Sequence, residues 1–170
     1  FAGSSFAKAT IGDQVNTVGA RAFSGCNTLT SITLGKGVTT IGERAFEGCT
    51  GELVINCAAQ DDSWTSGFVG SGFTKITIGE GVSELKYLVF SNCKSVKELV
   101  LSESVKKIVA GAFVDCNSIE KVVTYAVQPP RTDGYIFSDY TYENGVLYVP
   151  QSSLEKYQVM MGWYWFYNIK

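Results

Sequence analysis

Apolar residues recur along this chain in a pattern that returns after 23 residues, from Val15 to Val38 and again from Val82 to Val105. Each occurrence spaces aliphatic residues in the same way around one Phe and one Cys. The first two occurrences comprise Val15, Val18, Ala22, Phe23, Cys26, Leu29, Ile32 and Leu34, then Val38, Ile41, Ala45, Phe46, Cys49, Leu53 and Ile55. A fixed period of this length predicts stacked structural repeats that bury their apolar sides against one another.

A larger duplication covers the same repeats. The segment "RAFSGCNTLTSITLG" at 21–35 returns 67 residues later as "LVFSNCKSVKELVLS" at 88–102, and residues 1–15 correspond to 68–82 at the same offset. The intervening repeat, at 63–81, keeps Phe73, Ile76 and Ile78 but lacks the Cys. Because residue 1 falls inside a repeat, we expect the array to continue upstream of it.

Each repeat contains one predicted strand. In "LTSITLG" at 29–35, Ile32 and Leu34 alternate with Ser31 and Thr33, so the aliphatic side chains should face inward and the hydroxyls outward. Gly35 then turns the chain out of the strand. The Phe and Cys positions expected to pack between coils are Phe23, Cys26, Phe46, Cys49, Phe90, Cys93, Phe113 and Cys116.

The period and the L-x-x-L-x-L core are typical of leucine-rich repeats, in which each coil supplies one strand and returns by a turn or short helix. The predicted fold is therefore an α/β solenoid of about six coils of about 23 residues. We expect a right-handed superhelix with a parallel sheet on its concave side, closed by a C-terminal strand and helix.

The amino-acid pattern of this repeat is more specific than the general leucine-rich repeat pattern. "TIGERAFEGCT" at 40–50 strongly resembles the BspA-like, or Treponema-type, leucine-rich repeat family of bacterial surface proteins, and the resemblance runs from residue 1 to about residue 124. Lys86 and Val109 stand where the pattern has Gly. The resemblance implies secretion or display on the outer cell surface, and adhesion or macromolecular binding rather than catalysis.

The tail supports the same resemblance. "ENGVLYVPQSSLEKYQVMMGWYWFYNI" at 143–169 is similar to the strand, Pro and amphipathic helix that end many such proteins. We therefore divide the chain into an array at 1–124 and a transition with a C-terminal cap at 125–170, both in one structural domain. In the cap, Ser152 or Ser153 is expected to cap a helix whose apolar face carries Leu154, Tyr157 and Met161.

Composition narrows the possible functions. The chain has no His, so catalytic triads and His-based metal sites are excluded, and no cofactor or metal site is predicted. A net charge of −2 disfavours nucleic acid, and no apolar run is long enough for membrane insertion. Asp61 and Asp62 are the best adjacent carboxylates, and their setting is more typical of a solvated loop than of a catalytic or calcium site. We predict a protein that is not an enzyme.

Five Cys residues allow three interpretations. Four of them share one repeat position without C-x-x-C spacing, which favours a buried structural column, with disulfides between adjacent coils or a redox role as alternatives. Cys57 lies outside that column and is predicted to be the most reactive thiol.

The outward residues of the strands form the candidate binding face of the concave sheet. Stacking the coils gives one column of Lys8, Ser31, Glu52, Lys75, Glu98 and Lys121 and a second of Thr10, Thr33, Val54, Thr77, Val100 and Val123. The charges of the first column alternate in sign, and strands about 4.8 Å apart would let neighbours pair. Either the column is a solvated, self-paired ladder or the face binds a ligand.

A second candidate surface lies in the cap. Trp163, Phe166 and Ile169 fit a packing role there, whereas Tyr164, Trp165 and Tyr167 stand where the family pattern is polar and could form an exposed aromatic patch. The leading functional hypothesis is a cell-surface or secreted module that mediates adhesion through a host or microbial extracellular protein. A glycan-binding module that uses exposed aromatic residues, and a structural spacer, are the alternatives.

Overall fold

A computed structural model of the chain describes residues 1–58, 63–91 and 93–170. The strands are β1 (Lys8–Ile11), β2 (Thr17–Val18), β3 (Ser31–Leu34), β4 (Thr40–Ile41), β5 (Thr50–Ile55), β6 (Gly72–Ile78), β7 (Glu84–Leu85), β8 (Glu98–Leu101), β9 (Lys107–Ile108), β10 (Lys121–Thr124), β11 (Val146–Tyr148) and β12 (Asn168–Ile169). The helices are α1 (Ser63–Gly67), α2 (Asp139–Asn144) and α3 (Leu154–Val159), and a 3-10 turn at Gln151–Ser153 precedes α3.

One parallel sheet runs the length of the molecule. It contains eight strands in the order β1-β3-β5-β6-β8-β10-β11-β12, so spatial order follows chain order. Two short parallel pairs, β2 with β4 and β7 with β9, join successive coils at a second position. The predicted repeat array with a parallel sheet is confirmed as a solenoid-like fold, while its right-handed twist and the concavity of the sheet stay predictions.

Inward strand residues are buried and outward residues are not. In β3, Ile32 and Leu34 are buried while Ser31 and Thr33 are half-exposed, and β8 and β10 show the same alternation. Successive strands are in register, with Ile32 opposite Leu53 and Leu34 opposite Ile55. The alternation predicted from "LTSITLG" is therefore present along the array.

A ladder of phenylalanine rings connects the coils. The ring centroids of Phe23 and Phe46 are 5.7 Å apart, those of Phe46 and Phe68 5.4 Å, and those of Phe90 and Phe113 5.2 Å. Among the described residues the ladder runs through Phe1, Phe23, Phe46, Phe68, Phe90, Phe113 and Phe137. Each internal ring thus packs on a ring from both neighbouring coils, which no single coil could provide for itself.

The repeat at 63–81, which lacks the Cys, keeps the phenylalanine ladder through a different local structure. Here the turn is replaced by α1, which places Trp64 in the core with its indole Nε1 donating a hydrogen bond to the carbonyl of Thr39 at 2.9 Å. Phe68 follows α1 and supplies the ring. Asp61 and Asp62, the candidate carboxylate pair, lie outside the described residues.

The cysteine side chains line the core beside the ladder. All five are free, buried thiols, as predicted for the four column members. The thiols of Cys26, Cys49 and Cys116 each donate to a backbone carbonyl of a ladder phenylalanine one coil away, at 3.1 Å. Cys57 is also fully buried, and burial raises the pKa of its thiol to about 11. That it is the most reactive of the five thiols stays a prediction.

Close backbone contacts between coils require glycine at particular turns. A side chain at Gly42 would overlap the backbone of Ala20 in the preceding coil. Gly25 and Gly48, at equivalent positions before the column cysteines, both adopt positive φ, 76° and 74°, a region that other residues rarely occupy. The glycines of the repeat therefore set how closely the coils stack.

The sheet and the ladder continue beyond residue 124. Strand β11 pairs with β10, and Phe137 stacks on Phe113 with 5.5 Å between centroids. The division of the chain at residue 124 stays an interpretation of the sequence. Strand β12, which sequence patterning did not predict, adds an eighth strand beside β11.

In the cap, two large aromatic side chains cover the end of the core, and each is held in place by a hydrogen bond from its own polar group. Trp163 is buried and its indole Nε1 donates to the carbonyl of Pro130 at 2.8 Å, while the hydroxyl of Tyr157 donates to the carbonyl of Ala126 at 2.8 Å. Phe166 is also buried, as expected for a packing residue. These two bonds connect α3 and the turn after it to the segment that follows β10.

Two details of the predicted cap helix are wrong. Met161 does not share a helical face with Leu154 and Tyr157, because α3 ends at Val159, the backbone at Met160 is extended, and the Met161 side chain is exposed. Ser153 occupies the N-cap position but makes no side-chain capping hydrogen bond. Packing of Tyr157 and Trp163, 5.3 Å apart, positions this helix instead.

We expect Phe46→Ala to lower the free energy of unfolding by about 3–5 kcal/mol, because it leaves a cavity between two stacked rings in an internal coil. Urea denaturation of the purified protein measures this. Phe1→Ala is the matched control, since Phe1 stacks on Phe23 but is largely exposed, and it should cost below about 1 kcal/mol. Equal losses of unfolding free energy in the two variants would mean that ring stacking in the ladder does not stabilise the contact between coils.

Stability should fall as the pH rises from 8 to 10. Burial raises the pKa of Cys49 and Cys93 from 9.0 to about 12, so the folded state keeps these protons while the unfolded chain releases them. Each such thiol then costs on the order of 1 kcal/mol at about pH 10. Denaturation midpoints measured across this pH range test the effect, and a constant midpoint would contradict it. Cys57→Ala should make the decline shallower, because burial also raises the pKa of the Cys57 thiol, to about 11.

Candidate functional site

The outer face of the large sheet brings the predicted binding residues together. In the first column Ser31 lies opposite both Lys8 and Glu52, and Glu98 lies opposite both Lys75 and Lys121. In the second column Thr33 is paired with Thr10 and Val54, and Val100 with Thr77 and Val123. The strand register thus places all twelve candidate residues in two parallel rows, whose binding role stays a prediction.

The charged row is partly self-paired. The ammonium Nζ of Lys75 is 3.4 Å from Glu52 Oε1, and that of Lys121 is 3.1 Å from Glu98 Oε1. Within the part of the chain that the structure describes, no ion pair joins Lys75 to Glu98. The hydroxyl of Thr77 also donates to Glu52 Oε1, at 2.6 Å. The row therefore forms two local pairs rather than a continuous ladder.

The second row becomes apolar toward the cap. Val100 and Val123 are half-exposed on the outer face, and Tyr148 continues the row as the register partner of Val123. Tyr125 follows Val123 on the same chain and is 59% exposed. The Lys121 ammonium lies 5.8 Å from the Tyr148 ring centroid, within cation–π range. We call Val100, Val123, Tyr125 and Tyr148 the tyrosine-flanked centre.

Sequence reasoning did not identify either tyrosine of this centre. Tyr125 continues the period-two alternation of Lys121 and Val123, so extending the strand pattern by one step would have found it. Tyr148 belongs to β11, which lies outside the repeat array, and no repeat position predicts its register.

A shallow depression of about 680 Å³ follows this region of the face. Its lining includes Glu52, Lys75, Glu98 and Lys121 together with the tyrosine-flanked centre. A second depression of about 370 Å³ lies beside it and shares Thr77, Val100 and Tyr125. Tyr125 therefore stands between two adjoining concavities, where a bound chain would contact it from both sides.

The predicted cap aromatic patch is present only in part. Tyr164 and Tyr167 are exposed, Tyr167 by 76%. Trp165 is half-buried and its ring stacks on Tyr135 with 4.2 Å between centroids and 14° between planes. One face of the Trp165 ring is thus covered by a residue that sequence analysis did not associate with the cap.

Two features are absent from the described residues: a metal-binding group of side chains and a membrane-spanning helix. In the segments 1–58, 63–91 and 93–170, no group of three or more His, Cys, Asp or Glu side chains could hold a metal ion. In the same segments no helix has the length and apolar character needed to cross a bilayer.

The match to a family model agrees with the repeat architecture. The family model described as BspA type leucine rich repeat region matches residues 1–60 and 64–158 in six copies. A solved structure of a leucine rich cell surface protein from Faecalibacterium prausnitzii A2-165 is similar at 18% identity and a TM-score of 0.39. The alignment covers 96% of this chain and 59% of that protein. The search of curated proteins found no significant match.

We expect Lys75→Ala to change the free energy of unfolding by less than about 1 kcal/mol, and the change to vanish in about 1 M NaCl, because the Lys75–Glu52 pair is exposed. Urea denaturation at low and high salt measures this. Lys8→Ala is the control, since Lys8 lies opposite Ser31 and should show no salt dependence. A salt-insensitive loss above about 2 kcal/mol would show that the pair is part of the core architecture.

Proposed function

The chain belongs to the BspA-type leucine-rich repeat family, and on that premise we propose that it is a non-catalytic binding module on the cell surface or in the extracellular medium. Its partner is an extracellular protein of a host or of another microbe, and the contact mediates adhesion. The outer face of the sheet, concave in a right-handed superhelix, is the contact surface, with the tyrosine-flanked centre as its main anchor.

The observation that supports this proposal is the composition of the tyrosine-flanked centre. Two exposed tyrosines border two half-exposed valines on a regular sheet. Tyrosine is enriched among the residues that dominate binding energy at protein interfaces, because it combines a large apolar ring with a hydroxyl and little side-chain entropy. An apolar centre within a polar rim is also the usual anatomy of a protein interface.

The charged row favours a protein over a polyanion. Around the depression, Glu52, Lys75, Glu98 and Lys121 contribute two charges of each sign, so they create no net positive field there that would hold phosphate or sulfate groups. Charges of alternating sign at fixed intervals can instead orient a protein partner that carries the complementary pattern. They contribute specificity more than affinity.

The test is a binding screen of the purified protein against immobilised extracellular-matrix proteins, repeated with four variants. We expect Tyr125→Ala and Tyr148→Ala each to weaken binding by about 10-fold or more, because each removes a ring from the apolar centre. Tyr87→Ala is the matched control: Tyr87 is 64% exposed, comparable to Tyr125, but does not line the outer face. It should change the affinity by less than about twofold.

Other outcomes of the screen contradict the proposal in different ways. Binding that survives both tyrosine substitutions but is lost in Tyr167→Ala would move the contact to the cap aromatics. A correctly folded protein that binds no matrix protein would favour the spacer hypothesis. Circular dichroism of each variant establishes that a loss of binding is not a loss of fold.

A further inference from the structure

A separate depression lies away from the sheet, between the turn that carries Asp115 and the start of α2. Its volume is about 550 Å³. Two tyrosines, two carboxylates, an amide and a hydroxyl line it: Tyr135, Tyr140, Asp115, Asp139, Asn117 and Ser138. We propose that this depression binds a sugar residue of a neutral polysaccharide, a site independent of the protein-binding face.

Tyr135 provides a preorganised stacking platform. Its side chain is 59% exposed, yet its ring is held by the parallel stack on Trp165 at 4.2 Å and by edge contact with Tyr142 at 6.2 Å. Trp165 covers one face of the ring, and the side chain of Tyr135, 59% exposed, lines the depression. An exposed aromatic ring whose orientation is already set loses little entropy when the apolar face of a pyranose packs on it.

Tyr140 supplies the second ring of the depression. It lies in the first turn of α2 with its side chain exposed, and its carbonyl accepts a hydrogen bond from the Asn144 amide Nδ2 at 3.0 Å. Helix α2 is itself anchored by Tyr142, whose hydroxyl accepts hydrogen bonds from the backbone amides of Ile136 and Phe137. Both rings therefore project from segments fixed to the core.

The polar lining matches the hydroxyl groups of a sugar. The carboxylates of Asp115 and Asp139 accept hydrogen bonds, and the Asn117 amide and Ser138 hydroxyl both donate and accept. Bonds from hydroxyls to ionised carboxylates are among the stronger hydrogen bonds. Asp115 adopts a left-handed backbone conformation with φ of 61°, which presents this carboxylate from a tight turn.

The charge of the depression selects among ligands. Among the described residues its lining holds two carboxylates and no Lys or Arg, so phosphorylated, sulfated or uronic-acid chains are repelled. An ammonium ligand would be attracted to the carboxylates, but it has no acceptor for the N–H donors of the Asn117 amide or for the Ser138 hydroxyl, whereas a sugar hydroxyl both donates and accepts. Two rings with mixed donors and acceptors fit an uncharged polyol best.

The first experiment is isothermal titration of the folded protein with neutral hexose oligomers, namely α-linked and β-linked glucose, mannose and galactose hexamers. We expect saturable binding to at least one oligomer and none to an oligogalacturonate of equal length. Because the ligand is uncharged, the affinity should be the same in about 0.05 M and about 0.5 M NaCl. An affinity that falls steeply with salt would overturn the assignment, because ring packing and hydrogen bonds to an uncharged sugar are little affected by ionic screening.

Variants locate the site. Tyr135→Ala and Tyr140→Ala should each weaken sugar binding by about 10-fold or more, whereas Tyr135→Phe, which keeps the ring and its stack, should stay within about threefold. Asp115→Asn combined with Asp139→Asn should weaken it several-fold. Tyr167→Ala is the matched control, because Tyr167 is an exposed cap tyrosine outside the depression, and it should bind like the parent.

The outcomes separate this inference from the proposed function. Tyr125→Ala should weaken protein binding and leave sugar binding unchanged. Tyr135→Ala should weaken sugar binding and leave protein binding unchanged. Absence of binding to every neutral oligomer would overturn the inference, as would undiminished binding by the folded Tyr135→Ala and Tyr140→Ala variants. Neither result would bear on the outer face of the sheet.

Discussion

Contact between neighbouring coils is the interaction on which the structure depends. A coil of about 23 residues is too small to bury its own apolar side, so each phenylalanine of the ladder is covered only when a ring from the next coil lies on it. Cys26, Cys49 and Cys116 add to the same constraint, because their thiols donate to carbonyl groups of ladder phenylalanines in the preceding coil. Stability therefore depends on interfaces between repeats rather than on any one repeat.

The same stacking determines the surface. Once the inward residues of successive strands lie opposite one another, the outward residues must do so too, and a row of side chains results at every outward position. That is why Glu98 lies between Lys75 and Lys121, and why Val100 and Val123 are neighbours although they are far apart in the chain. A repeat that evolved to fill a core thereby produces an extended, ordered face that a partner can recognise.

The two proposed binding surfaces use different parts of this architecture. The outer face derives its order from strand register, and its tyrosines lie where the repeat array meets the cap strand. The depression beside α2 derives its order from cap packing, in which Trp165 stacks on Tyr135 and Tyr142 anchors the neighbouring segment. A chain with both could hold a protein through the first and a neutral glycan through the second, which suits contact with a glycosylated extracellular partner.

The amino-acid sequence by itself determined the repeat, the parallel sheet, the burial of Phe23, Phe46, Phe90 and Phe113, and the two outward rows, because each follows from a period of about 23 residues combined with alternation of two. Only the tertiary structure decided features without a period. Phe68 enters the ladder from the residue after α1 rather than from the usual turn, and Cys57 is buried although it lies outside the column. Within residues 1–58, 63–91 and 93–170, Lys75 forms its ion pair with Glu52 and not with Glu98. Trp165 likewise packs on Tyr135, 30 positions earlier. Periodicity specifies which positions stack, whereas contacts at an insertion or in a cap depend on how the whole chain closes around them.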